Sequence, residues 1–234
     1  MSDPAANAIR SRAHSRMDVR TMTSLAMLTA IAYVVMYLSK MLPQVLGFLQ
    51  MDLKDTVICI GGFVFGPLAA AIIALVVALV EMFTVSDTGI IGCIMNVLAT
   101  VAFCCTASFV YKKVHTKKGA VIGLALGVVA LVAVMLLWNY LITPLYMPSF
   151  SRADIAAMLP TVFLPFNLVK GGLNMAIILL LYKPVVTALR RARLVPESQT
   201  IVQPAGKVNV GFLLFSLALL ATFVTLTLVL MGIL

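Results

Sequence analysis

Residues 56–84 read TVICIGGFVFGPLAAAIIALVVALVEMFT, 29 residues with a single charge, Glu81, near the end. As one helix this stretch would be about 43 Å long, against a bilayer hydrocarbon core of about 30 Å. Part-way along stands Gly66-Pro67, a pair that stops one helix and starts the next, since proline suits a first helical turn. The stretch is therefore either one tilted crossing or a tight pair, one helix short and the other longer. The basic residues choose between these. They form three clusters: Arg10, Arg12, Arg16 and Arg20; Lys112, Lys113, Lys117 and Lys118; and Lys183, Arg190, Arg191, Arg193 and Lys207. A single crossing at 56–84 puts the first cluster opposite the other two, whereas a hairpin puts all three on one side. Basic loops stay in the cytoplasm, so the hairpin is expected, with the N-terminus inside.

The rest of the chain agrees with a membrane solvent. Of the 234 residues, 62% are hydrophobic and only 11% are charged, and the mean hydropathy is +1.11. A soluble domain is about half apolar and a quarter charged, so an all-α integral membrane protein is expected. Apolar runs lie near 22–39, 56–84, 89–111, 119–142, 160–188 and 209–233. Counting the second as a hairpin gives six helices up to about residue 190, then a seventh crossing. The expected division is a basic cytoplasmic tail (1–20), a six-helix substrate-binding membrane domain (21–190), a cytoplasmic linker (191–207) and an extra transmembrane helix (208–234). The last span carries no charge and no Asn, Gln or His, and is expected to be a lipid-facing anchor outside the functional unit. No internal repeat is evident, which argues against an inverted-repeat transporter.

Several function classes fall away. The net charge of +9 follows from topology and anionic lipid, with no nucleic-acid partner implied. The basic, polar first twenty residues and the lack of a small-residue cleavage site speak against a cleavable signal peptide. Cys59, Cys93, Cys104 and Cys105 all fall in apolar runs and are expected to be buried thiols, neither disulfides nor a metal site. No phosphate loop, nucleophile elbow or zinc-protease motif is present, and His14 and His115 fall in cytoplasmic segments. The chain is not expected to be an enzyme, nor to power transport itself.

Polar groups gather at the side opposite the basic clusters. On that outer side stand Lys40, Gln44, Gln50, Asp52, Lys54, Asp55, Asp87, Thr88, Asn139, Tyr146, Arg152 and Asp154; entering the membrane from it are Glu81, Asn96, Asn167, Lys170 and Asn174. Asn167 and Lys170, three residues apart, share a helix face, and Asn174 follows four residues later. Ionisable groups inside a membrane are costly and mark function by default. The competing account is interhelical glue, with Lys170 paired to Glu81. A pocket opening outward explains directly why such groups cluster at the outer halves of different helices. Pro144 ends a helix within NYLITPLY (139–146), so the segment 143–159 is an expected loop over that pocket, with Tyr146 as a ligand contact.

The stretches DLKDTVICIGGFVFGPLAA (52–70), NYLITPLY (139–146) and LPFNLVKGG (164–172), in this order and topology, resemble the riboflavin-specific substrate-binding (S) components of energy-coupling-factor (ECF) vitamin transporters. The resemblance covers roughly residues 20–190. It implies a six-helix S-component-like bundle with Asn139, Asn167 and Lys170 facing the flavin; Tyr146, Asn96, Glu81 and Asn174 stand beside them as substrate-site candidates from the polar gathering itself. AMLTA (26–30) is similar to the family's Ala-x-x-x-Ala motif, which implies that Ala26 and Ala30 contact a membrane coupling subunit (EcfT-like). Two ATPase subunits would supply the energy, and riboflavin is the transported ligand, with no cofactor. The implied location is a bacterial cell membrane. Alternatives within reach of the same residues are another vitamin or flavin analogue, or a structural membrane protein whose buried polar groups only join helices.

Overall fold

The computed structural model describes residues 19–146, 151–192 and 210–234. Among them lie α1 (Val19–Ser39), α2 (Lys54–Phe65), α3 (Pro67–Thr84), α4 (Gly89–Lys113), α5 (Lys117–Leu141), a single turn α6 (Thr143–Tyr146), α7 (Arg152–Met158), a π-helical turn (Leu159–Phe163), α8 (Leu164–Arg191) and α9 (Val210–Leu230). The described residues contain no named strand. Six of the helical stretches are long and apolar enough to cross a membrane.

The hairpin is present, turning on Gly66 at φ 94° with Pro67 opening α3. A left-handed backbone suits glycine, and a helix's first turn needs no proline N–H, so the two residues fit their places. α2 has 12 residues, nine of them buried, and it packs against α1, α3, α4 and α8. Lys54 at the start of α2 meets Glu81 near the end of α3, which makes the pair antiparallel. α4 and α5 approach closely because α5 turns small residues toward α4. A Cβ at Gly123 would come within 2.8 Å of the Ala107 carbonyl, and one at Gly127 within 2.7 Å of the Phe103 carbonyl. Small residues at such crossings replace the hydrophobic drive that lipid cannot supply.

The two ends of the bundle differ. At the Gly66 end Phe63 stacks on Tyr111 with ring centroids 4.5 Å apart, and the Tyr111 and Tyr182 hydroxyls hydrogen-bond. The described members of the three basic clusters, including Arg20, Lys112, Lys117 and Lys183, lie toward this end. The opposite end carries the polar side chains.

Two expectations need correction. The segment 143–159 is not a plain loop: Pro144 sits inside the turn α6, and Ser151 and Asp154 form a capping box that starts α7. α7 then runs through the π-helical turn into α8. Pro160 stands inside that turn and Pro165 just beyond it, and each lacks the N–H an α-helical bond needs, which fits the wider winding. The second is a refinement: α9, expected as a lipid-facing anchor, is exposed over most of its length but packs one stripe on its neighbour. Ser216 and Thr227 are buried and Phe212, Leu219 and Phe223 half-buried, a stripe at helical spacing that packs on α8. Of the four free cysteines, Cys59, Cys93 and Cys104 are buried and Cys105 is half-buried.

Candidate functional site

A cavity of about 380 Å³ lies at the polar end, walled by α1, α3, α4, α5, α8 and the α1–α2 segment. That is within the range of small-molecule sites. The exposed Gln44, Asp87 and Thr88 stand at its mouth. The walls are mixed: Met36, Met95, Met135, Phe163 and Phe166 give flat or adaptable apolar surface, while Glu81, Asn96, Asn139, Asn167 and Lys170 give polar edges.

Each polar group is held by its neighbours. The Asn139 amide donates to the Met135 carbonyl at 2.7 Å, and its oxygen accepts from the Thr143 hydroxyl at 3.0 Å. The Asn167 amide donates to the Phe163 carbonyl at 2.8 Å, an acceptor within the π-helical turn. The Asn167 carboxamide oxygen accepts no hydrogen bond among the described residues. Asn96 donates to Glu81 at 3.1 Å. Lys170 is half-buried on the same face of α8 as Asn167 and belongs to none of the three ion pairs among the described residues. A cation with no carboxylate bound to it, in a cavity wall, has donor capacity to spare for a ligand.

The Lys170–Glu81 pairing that the glue account required is absent. Glu81 instead bonds Lys40 and Lys54, each at 3.2 Å, and Lys54 also binds Asp52. Lys54 is 2% exposed, so its charge persists only because two carboxylates neutralise it. Burial alone would raise the Asp52 carboxyl, but the Lys54 and Lys170 ammonium groups outweigh it and hold it below the ordinary carboxylate range. Sequence reasoning collected Asp52, Lys54 and Asp55 on the side opposite the basic clusters without saying how deeply they lie. They are buried, and Asp55 accepts from the Thr100 hydroxyl at 2.6 Å. The signal available was Asp-x-Lys-Asp running straight into an apolar stretch, with an acidic residue near a helix start.

Asn174 also differs from expectation. It does not line the cavity: its amide donates to the Asp52 and Lys170 carbonyls at 2.9 and 3.0 Å, and its oxygen accepts from Thr56 at 2.8 Å. With both ends engaged, it ties α8 to the α1–α2 segment behind the wall. Arg152 and Asp154 lie on α7, away from the cavity lining. Tyr146 ends α6, and its contacts lie outside the described residues. Ala26 and Ala30 lie exposed on α1.

A bundle of membrane-length helices enclosing a mixed polar and aromatic cavity at one end defines a multi-pass membrane protein that binds a solute. Residues 20–182 match the family described as the ECF transporter, substrate-specific component. The chain belongs to that family, whose members are transport subunits rather than enzymes. Its relatives include the riboflavin transporter RibU of Staphylococcus aureus (strain TCH60), 32% identical over 178 residues, which cover 74% of this chain and 93% of that protein. The riboflavin transporter FmnP of Bacillus subtilis (strain 168) is 31% identical over 163 residues, 66% of this chain and 86% of that protein. A structure described as the S component of a bacterial ECF transporter superposes with a TM-score of 0.61 at 27% identity, covering 73% of this chain and 98% of that one.

Proposed function

We propose that the chain captures riboflavin from outside the cell in this cavity and serves as the substrate-specific subunit of an ECF-type transporter. The observation that carries the reading is the pairing, on one face of α8, of Lys170 without a carboxylate partner and Asn167 with an open carboxamide oxygen. Around them lie the apolar walls that a flat tricycle needs. Riboflavin offers carbonyls and ring nitrogens along one edge and an N–H between two of the carbonyls. Lys170 donates to the former, and Asn167 can accept from the N–H. Asn139 and Asn96, with Glu81 behind, complete the polar rim, and Tyr146 at the end of α6 is a further contact.

The cavity end faces outward and the basic end inward, with the N-terminus in the cytoplasm of a bacterial cell, because basic loops are retained there. Drive comes from a membrane coupling subunit and two ATPase subunits, the coupling subunit resting on the exposed small residues Ala26 and Ala30 of α1. The test is titration of the purified protein with riboflavin, followed by flavin absorbance and fluorescence quenching. Saturable one-to-one binding that Lys170→Met weakens supports the reading. Equal affinity for an unrelated vitamin, or none for riboflavin, overturns it.

A further inference from the structure

The family match ends at residue 182, so α9 is an addition to it, yet α9 reaches the cavity wall from behind. It runs antiparallel to α8: near its start the Lys117 ammonium lies 5.5 Å over the Phe212 ring at the basic end. Phe223, Leu230 and Met231, from its far half, join one apolar cluster with Val45, Met51, Phe166 and Val169 at the cavity end. Met51 and Phe166 of that cluster also line the cavity. Gly172, two residues beyond Lys170, lets the Phe223 ring rest directly on α8, for a Cβ there would collide with the ring.

The α1–α2 segment supplies one side of the cavity as a compact piece. It turns at Leu46 (φ 53°) and Gly47 (φ 78°) between bridged Val45 and Leu49, and Gln50 donates to the Ser39 carbonyl at 3.0 Å. Gln50 ties it to the end of α1, Lys40 to Glu81 and the Val85 carbonyl, and Asn174 of α8 to the Asp52 carbonyl, whereas its contact with α9 is apolar alone. Such contact is non-directional and breaks without leaving a buried polar group unpaired. Its strength therefore sets how readily this side lifts.

We propose that α9 braces the α1–α2 cap and the α8 wall, and so sets how long the cavity retains its ligand, with Phe223 as the positioning residue. The inference rests on the riboflavin reading for its ligand, though not for the brace itself. In the full-length protein loaded with riboflavin, Phe223→Ala should speed flavin dissociation about tenfold while association changes less than twofold. Phe223→Leu should fall between, and Val224→Ala, on the exposed side of the same helix, should match the wild type. A wild-type dissociation rate in Phe223→Ala, even with a lowered melting temperature, overturns the proposal and leaves α9 as a stabilising element only. If Phe223→Ala does not fold, Gly172→Ala, which pushes the same ring away from α8, and Phe223→Leu decide. Unchanged dissociation in both overturns the proposal. Should the wild type bind no riboflavin, the ligand reading fails, and the brace is judged by amide exchange at residues 45–51. Faster exchange in Phe223→Leu than in Val224→Ala sustains it, and equal exchange defeats it.

Discussion

The two ends of this bundle are held by different physics. At the cavity end the helices are joined by charge and hydrogen bond: Lys40, Glu81, Lys54 and Asp52 form one ionic chain, and Asn174 of α8 reaches Asp52 and Thr56 through two hydrogen bonds. At the other end Phe63, Tyr111 and Tyr182 close the gap by ring contact. Directional bonds keep an end rigid while leaving space between the groups, as a site requires. Ring packing fills space and seals it. One end is built to admit a solute, the other to exclude one.

Lys54→Met tests the contrast most severely. It leaves Asp52 and Glu81 as buried carboxylates short of a counter-charge and should cost about 3–5 kcal/mol, read as a large fall in melting temperature in detergent with loss of flavin binding. A near-normal melt would show that the ionic chain is not what holds this end. At the sealed end, Phe63→Ala should cost about 3 kcal/mol through the void it leaves. Riboflavin affinity of the folded fraction should stay within twofold, and a large affinity loss would break the separation of the two ends.

Lys170→Met should do the reverse. Removing a donor from a desolvated ligand acceptor costs about 1–3 kcal/mol, roughly tenfold or more in affinity, while the melting temperature falls by less than in Lys54→Met, because Lys170 acts on the buried Asp52 from a distance and forms no ion pair. Asn167→Ala should follow the same pattern. Unchanged affinity in both would sink the ligand assignment of α8. The smallest effect on the isolated protein belongs to Ala30→Trp. Lying exposed on α1, it should move stability and affinity by no more than about 0.5 kcal/mol, yet abolish uptake in cells if a coupling subunit rests there. Normal uptake would remove α1 from that role.

Much of this was legible before any coordinates. The hairpin follows from a run too long for one crossing, a Gly-Pro stop and the placement of basic loops. The gathering of Asn96, Asn139, Asn167, Lys170 and Glu81 follows from where polar residues interrupt apolar spans. What stayed hidden had physical reasons. Glu81 and Lys54 meet across 27 residues, and no local spacing reveals such a pairing. Asn174 sits on nearly the same face as Lys170, so periodicity could not tell a wall from its backing. The packed stripe of α9 was invisible because the segment carries no charge and its Ser and Thr residues fall on both the buried and the exposed faces.

The shortness of α2 has a consequence for the membrane itself. Thr100, which donates to Asp55 at the start of α2, stands 11 residues into α4 from Gly89, or about 16 Å along that helix. At the other end Gly62 lies against Ser108, close to the end of α4 at Lys113. α2 therefore falls short at the cavity end, and the floor of the cavity lies well down the length of α4. A solute resting there has already descended through a good part of the hydrocarbon thickness without leaving a polar lining. What separates it from the opposite face is the span of α2, about 18 Å of close-packed protein, in place of the roughly 30 Å that lipid alone would present.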